Sequence, residues 1–115
     1  APFHCSLMKP AAKTMKEKIN NTYFNDPEFS IINNVTAKAQ NKSDIIKELL
    51  IEQIFSTVKW RESLLTMSRE GVSNFIEIGP GKALIGMVKR TVKDANCFSI
   101  NSITDIKNFI NEFKK

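Results

Sequence analysis

A strand that runs directly into a glycine-rich turn and then a helix constrains this chain more than any other feature. Residues 72–78 (VSNFIEI) favour a buried strand, with Glu77 interrupting one face. Gly79-Pro80-Gly81 makes a sharp turn, and residues 82–92 follow as a helix. The helix positions predicted to face inward are Leu84, Met87, Val88 and Val92. This order of elements is typical of α/β proteins.

Helical and strand-like segments alternate along the rest of the chain. Short β-branched segments predict strands at residues 29–35 and 97–100. Helical spacing predicts four more inward faces: Ala11, Ala12, Met15, Ile19 and Tyr23; Ile45, Ile46, Leu49, Leu50 and Ile54; Trp60, Leu64 and Met67; and Ile103, Ile106, Phe109, Ile110 and Phe113. The predicted helix ends are Ser43, Ser56 or Thr57, and Ser102 as N-caps, and Gly71 at the C′ position.

The composition describes a soluble chain of one domain or part of one. Its 115 residues are 42% hydrophobic and 25% charged. Residues 1–8 do not resemble a signal peptide and no apolar run is long enough for a membrane helix, so neither is expected. The net charge of +5 is carried mostly by scattered lysines, which argues against a sequence-specific nucleic-acid reader. Cys5 and Cys97 fit no metal or C-x-x-C spacing, so reduced thiols in a cytoplasmic protein are expected.

Three local features invite a chemical interpretation. His4 is the only histidine, and Cys5 follows it, but adjacent side chains diverge, which disfavours a Cys–His dyad. Gly79-Pro80-Gly81-Lys82 precedes a helix as a phosphate loop does, yet it lacks the P-loop spacing, so a tight turn is favoured. Lys89 and Arg90 lie late on the same helix, where they either complement the helix dipole or dock an acidic partner.

Four segments, taken in order, resemble malonyl-CoA:acyl carrier protein transacylases of the bacterial type. They are residues 1–12 (APFHCSLMKPAA), residues 32–35 (INNV), Gln53 with residues 58–60 (VKW), and residues 77–84 (EIGPGKAL). The first resembles the stretch around the family's catalytic histidine. The similarity covers nearly the whole chain, and the order and spacing of the four segments carry it.

The resemblance implies a ping-pong transfer of a malonyl group from coenzyme A to the phosphopantetheine thiol of acyl carrier protein, as in fatty acid biosynthesis. His4 matches the histidine that takes the proton of a serine in a G-H-S-x-G elbow. Gln53 matches the glutamine whose backbone carbonyl accepts the imidazole N–H, and Phe3 matches a substrate-binding residue of malonyl-selective members. No cofactor, metal, nucleic acid or membrane is implied, and Lys89 and Arg90 are candidates for docking the acidic carrier protein.

The resemblance also implies a fold, the C-terminal part of an α/β-hydrolase-like acyltransferase core in which helices alternate with short, mostly parallel strands. Residues 1–115 contain no G-x-S-x-G, and Ala1 lies only three residues before His4. We therefore expect the nucleophile elbow and the ferredoxin-like subdomain to lie in an N-terminal part of the same enzyme. On this interpretation the isolated chain is inactive, and its incomplete sheet makes it poorly soluble or oligomeric.

Two other functions remain open from the sequence. A non-catalytic interaction module would use Lys89 and Arg90 to bind an acidic partner, with His4 incidental. An acyltransferase region of a polyketide synthase would share the mechanism and differ in its flanking domains.

Overall fold

The computed structural model describes residues 2–113, which form two compact units with the boundary in the sequence between Thr66 and Met67. The elements of the first unit are α1 (Lys9–Asn20), β1 (Ile31–Ile32), β2 (Ala39–Gln40) and α2 (Ser43–Glu52), with a 3₁₀ turn at Ser6–Met8 before α1. Helix α3 (Trp60–Arg69) runs across the boundary. The second unit contains β3 (Asn74–Ile78), α4 (Ala83–Thr91), β4 (Asn96–Ile100) and α5 (Ile103–Phe113).

Helices α1 and α2 pack against each other in the first unit. Ala12 on α1 and Ile46 and Leu49 on α2 are buried, as helical spacing predicted. The prediction was wrong for Tyr23, because α1 ends at Asn20 and the tyrosine is 86% exposed. The predicted inward position Met15 is also exposed, so α1 contributes a narrower apolar face than its sequence indicates.

The predicted strand at residues 29–35 is reduced to β1, which pairs antiparallel with the unpredicted β2. The chain turns away immediately after β1, because the buried side chain of Asn33 accepts a hydrogen bond from Val35 N at 2.7 Å. Such a side-chain bond mimics a backbone turn and competes with strand pairing. Ala37, at φ +55°, completes the reversal into β2.

The N-terminus of α2 is capped by a residue distant in sequence. Ser43 is the first helical residue, so the prediction that it is the N-cap was wrong; the N-cap position is Lys42, in extended backbone conformation. Asp26 Oδ1 accepts the Ser43 N–H at 2.7 Å, and Asp26 Oδ2 accepts from Lys42 Nζ at 3.0 Å. The carboxylate therefore satisfies one of the N–H groups that a helix start leaves unpaired.

Helix α3 starts later than predicted and ends as predicted. It begins at Trp60 rather than after Ser56 or Thr57, and its Leu64 side chain is fully buried. Gly71 N and Val72 N donate to the carbonyls of Ser68 and Met67, in the pattern of a Schellman motif. Gly71 has φ +85°, which confirms the predicted C′ position, since glycine adopts this conformation at little cost.

The second unit is a β-α-β arrangement followed by a helix. Strands β3 and β4 pair in parallel, in a register that places Asn74 opposite Asn96 and Ile78 opposite Ile100. Parallel strands need a crossover connection, and α4 provides it while contacting both strands. Helix α5 packs against β4 through edge-to-face contacts of Phe98 with Phe109 and Phe113.

The core of the second unit differs in detail from the predicted one. Helix α4 buries Ile85, whereas the predicted inward residue Leu84 is 42% exposed. On β3 only Phe75 is buried, and Ile76 and Ile78 are exposed, so the prediction of a buried strand was wrong for this chain. Periodicity cannot detect this, because a two-stranded sheet offers too little cover for both faces of a strand.

Ser102 is the N-cap of α5, as predicted. Its Oγ accepts the Asp105 N–H at 3.2 Å, and Asp105 Oδ2 accepts the Asn101 N–H at 2.9 Å, so the two side chains cap the start of α5 together.

The α/β fold class is confirmed, with one parallel and one antiparallel strand pair among the described residues. No helix in residues 2–113 has both the length and the apolar character needed to cross a membrane.

Candidate functional site

The first unit brings His4 and Gln53 together although 49 positions separate them. His4 Nδ1 lies 2.7 Å from the main-chain oxygen of Gln53, a distance typical of a strong hydrogen bond. His4 is exposed and has φ +57°, in the left-handed region. Few non-glycine residues adopt this conformation, and those that do concentrate at functional sites.

The chemistry of this contact determines the tautomer of His4. A carbonyl oxygen can only accept a hydrogen bond, so Nδ1 must carry the proton and donate it to Gln53. In the neutral ring Nε2 then holds the lone pair and is the nitrogen that can take a proton from a substrate or a nucleophile. The arrangement gives His4 the tautomer and orientation that a general base requires.

The local structure explains why the Gln53 carbonyl is available. Helix α2 ends at Glu52, and Gln53 is its C-cap, with its N–H donating to Leu49 O at 3.0 Å. The last carbonyls of a helix have no intrahelical partner, and the imidazole of His4 fills this need at Gln53. The Gln53 carbonyl that the resemblance indicated is therefore free to accept because α2 ends one residue before it.

A second amide contact lies behind Gln53. Asn34 Nδ2 is 3.5 Å from Gln53 Oε1, and both side chains line a cavity of about 270 Å³. The main-chain oxygen of Asn34 accepts the Lys59 N–H at 2.8 Å, which ties the turn after β1 to the start of α3. Asn34 belongs to the matching segment 32–35, and membership of that segment is the only signal in the sequence for its position.

Phe3 and Cys5 flank His4 in the sequence. Phe3 is 65% exposed. Cys5 Sγ lies 3.2 Å from the main-chain oxygen of Pro2, so the thiol has a backbone partner on its own segment. The imidazole nitrogen Nδ1 meanwhile bonds to Gln53, which agrees with the expectation that neighbouring His and Cys side chains diverge.

In the second unit, the Gly-Pro-Gly turn is a structural connection whose helix start is already occupied. Glu77 accepts the N–H groups of Leu84 at 3.3 Å and Ile85 at 2.9 Å. The carboxylate therefore takes the place at the start of α4 that an anion would need. Glu77 interrupts one face of the predicted strand, and the signal for its capping role is an acidic residue at a strand end just before a helix. Gly79 and Gly81, at φ +134° and +94°, allow the sharp reversal between the two elements.

Lys89 and Arg90 lie exposed in the last turn of α4, in the second unit. A Cβ added at Gly86 would lie 3.6 Å from a guanidinium nitrogen of Arg90, so this side chain extends back along its own helix. Cations at a helix C-terminus are stabilised by the helix dipole. This position suits the interaction of Lys89 and Arg90 with the helix dipole. It also leaves both charges accessible to a partner.

Two carboxylates titrate below their ordinary range because they cap helices. The Ser43 backbone N–H, and then the Lys42 side chain, lower the pKa of Asp26 to about 2. The Asn101 backbone N–H, and then the Ser102 hydroxyl, lower the pKa of Asp105. Among residues 2–113 no group of three or more histidine, cysteine, aspartate or glutamate side chains could hold a metal ion.

Curated proteins and solved structures that resemble this chain are of one kind. No family model matches the chain. It is 39% identical over 112 residues to the malonyl CoA-acyl carrier protein transacylase of Haemophilus influenzae, and 40% identical over 114 residues to that of Bacillus subtilis. These alignments cover 97% and 99% of this chain and 36% of each relative, so the chain spans about a third of their length.

Solved structures agree. An acyl carrier protein S-malonyltransferase from Vibrio cholerae matches with a TM-score of 0.87 at 39% identity, over 95% of this chain and 36% of that one. A malonyl-transacylase solved in complex with its type II PKS acyl-carrier protein matches with a TM-score of 0.88 at 31% identity, over 96% of this chain and 36% of that chain.

Proposed function

We propose that this chain, which belongs to the family of malonyl CoA-acyl carrier protein transacylases over the third of their length that it spans, supplies the general base of malonyl transfer. The observation that carries the proposal is the 2.7 Å contact from His4 Nδ1 to the Gln53 carbonyl. It holds Nε2 of the only histidine in the sequence in proton-accepting form.

The proposed reaction has two halves that use His4 in the same way. In the first, a serine hydroxyl attacks the thioester carbonyl of malonyl-CoA while His4 Nε2 takes its proton. The carbon–sulfur bond breaks, the proton passes to the departing coenzyme A sulfur, and a malonyl-serine ester remains. In the second half, Nε2 takes the proton of the phosphopantetheine thiol and the sulfur attacks the ester carbonyl. The carbon–oxygen bond to serine breaks, the proton returns to the serine oxygen, and malonyl-carrier thioester is released.

Gln53 acts in this scheme through its main chain. Its carbonyl fixes the imidazole as the aspartate of a hydrolytic triad does, without placing a full negative charge beside the ring. Phe3 is proposed to contact the acyl group, because it directly precedes His4 and has an exposed ring. A ring at this position would disfavour an α-methyl branch, a discrimination worth about 1–3 kcal/mol.

Lys89 and Arg90 are proposed to dock the carrier protein. Their exposure on the last turn of α4 supports this, since acyl carrier proteins are acidic and opposite charges steer encounter. One structural relative was solved in complex with its acyl-carrier protein. On this proposal the charges affect only the second half-reaction, in which the carrier protein takes part.

We further propose that residues 1–115 form the C-terminal part of an acyltransferase catalytic subdomain within a longer enzyme of fatty acid biosynthesis. The 36% coverage of the relatives supports this, as does the exposure of Ile76 and Ile78 on β3. The N-terminal part would then supply the serine. A cytoplasmic location is proposed because Cys5 and Cys97 are free thiols, which suit a reducing compartment.

The test starts from the complete reading frame that encodes this chain, with the wild-type protein compared with His4→Ala. Intact mass after mixing with malonyl-CoA measures acylation, and a carrier-protein thiol measures transfer. Loss of a general base is expected to slow acylation by a factor of about 10² to 10⁴. Cys5→Ser is the matched control, since it alters the neighbouring side chain and leaves the base in place; we expect it to transfer at the wild-type rate.

Three results would contradict the proposal, and the last of them would favour a different function. One is a His4→Ala protein that acylates as fast as wild type. Another is a malonyl adduct on the isolated chain that a thiol acceptor removes, because residues 1–115 contain His4 but no G-x-S-x-G motif to supply the serine. A complete protein that folds but transfers no malonyl group would favour an interaction module.

A further inference from the structure

The Gln53 carbonyl lies at the end of α2, where no following helical turn fixes its direction. Its residue is anchored on one side by the N–H bond to Leu49 O. The two following residues make looser contacts, with Ile54 N 3.3 Å from Ile51 O and Phe55 N 3.2 Å from Glu52 O. Helix ends fray, so the direction of this carbonyl depends on whatever else holds the residue.

The side chain of Gln53 has a fixed partner. Asn34 Nδ2 lies 3.5 Å from Gln53 Oε1 and both residues are half-buried. Asn34 is itself held by the 2.8 Å bond between its carbonyl and Lys59 N. The turn in front of it is fixed by Asn33, whose side chain and carbonyl accept Val35 N at 2.7 Å and Ala37 N at 2.8 Å.

The amide pair lies on the wall of a mainly apolar cavity, which Asn25 and Asn33 also line. Asn34 and Gln53 line it together with Ile32, Ile46 and Leu50. A polar group facing an apolar wall gains more from a protein partner than one facing bulk water, because desolvation leaves it few alternatives. The amide contact therefore biases the rotamer of Gln53 even at its long distance.

We propose that Asn34 is a positioning residue for the base: it holds Gln53, whose carbonyl in turn holds the His4 ring in its Nδ1–H tautomer. The proposal rests on the proposed malonyl transfer, in which His4 is the base, and it adds a residue that touches neither substrate nor imidazole. Asn34 acts only through Gln53, so removing either side chain should have the same effect as removing both.

The experiment is a double-mutant cycle on the complete protein, with Asn34→Ala, Gln53→Ala and the double variant. Each single substitution is expected to lower kcat about three- to tenfold with KM for malonyl-CoA unchanged, as befits the loss of one neutral hydrogen bond. The double variant is expected to match the singles, because both remove the same contact. Asn34→Asp should recover most of the loss, since the Gln53 amide can turn over and donate to the new carboxylate. Asn41→Ala, at an exposed site in the same unit, is the matched control.

A second readout does not depend on catalysis. The ring nitrogens of His4 are observed by NMR and assigned from the signals lost in His4→Gln; the Nδ1–H form should dominate in wild type and give way to a mixture of tautomers in Asn34→Ala. If wild type shows the Nδ1–H form but transfers no malonyl group, the proposed function fails and the positioning role is judged by NMR alone. Additive losses in the cycle, or an Asn34→Ala protein with wild-type kcat and an unchanged tautomer, would overturn the inference.

Discussion

Replacing Glu77 with alanine removes a carboxylate that accepts two hydrogen bonds from the start of α4. Two N–H groups lose their acceptor, Leu84 at 3.3 Å and Ile85 at 2.9 Å. These are the second and third positions of a helix that begins at Ala83, the positions that an N-cap side chain normally serves. Lys82, the residue at the N-cap position itself, makes no such bond.

The expected loss of stability in Glu77→Ala follows from these two contacts. Loss of a capping side chain lowers the free energy of unfolding by about 1 kcal/mol. Loss of a negative charge beside the N-terminus of a helix adds about 0.3–1 kcal/mol, so the total is about 1–2 kcal/mol. Glu77→Gln keeps one acceptor oxygen and loses the charge, which places it between wild type and alanine.

The assay is urea unfolding of the complete protein, combined with hydrogen exchange at the Leu84 and Ile85 amides. Both amides should exchange faster in Glu77→Ala, by more than other amides of the second unit. Glu112→Ala on α5, a glutamate substitution at an exposed position, serves as the control and should change stability by less than about 0.5 kcal/mol. If Glu77→Ala unfolds like wild type and its two amides keep their protection, the capping role assigned to Glu77 is wrong.

Two further predictions follow from charged side chains. Asp26 has a folded-state pKa of about 2 against an ordinary value of 3.8, so its stabilising contribution is present above about pH 4 and is lost as the pH falls toward 2. Asp26→Asn should therefore be less stable than wild type in thermal melts at neutral pH, with the gap closing by about pH 2; a gap that stays constant over this range would contradict the assignment. Charge reversal by Lys89→Glu with Arg90→Glu should slow transfer to carrier protein about tenfold at low salt and leave acylation by malonyl-CoA intact. Lys13→Glu with Lys16→Glu on α1 is the control for net charge, and equal loss of both half-reactions in the α4 variant would refute a docking role.

Local sequence rules predicted the elements whose ends carry their own signals. Gly71 ends α3 with a positive φ, and Ser102 caps α5, because glycine and serine supply what those positions need within a few residues. The α/β class followed from the strand, turn and helix around Gly79-Pro80-Gly81. The resemblance added Gln53, which no periodicity argument would have selected.

The helix caps and strand lengths that depend on other parts of the chain were decided by the tertiary structure. Asp26 caps α2 from 17 positions away. Glu77, which interrupts one face of the predicted strand, caps α4. The short β1 and the unpredicted β2 follow from one side-chain bond of Asn33, which outweighs β-propensity over so few residues.

The same division holds at the candidate site. The sequence by itself determined that a lone histidine stands in a segment like that of a transacylase base. Only the folded chain decided which nitrogen of His4 carries the proton, because the acceptor is a main-chain oxygen at the end of α2 that every residue type possesses. A backbone carbonyl leaves no mark in the sequence, and its position is fixed by where the helix stops and by what holds it there.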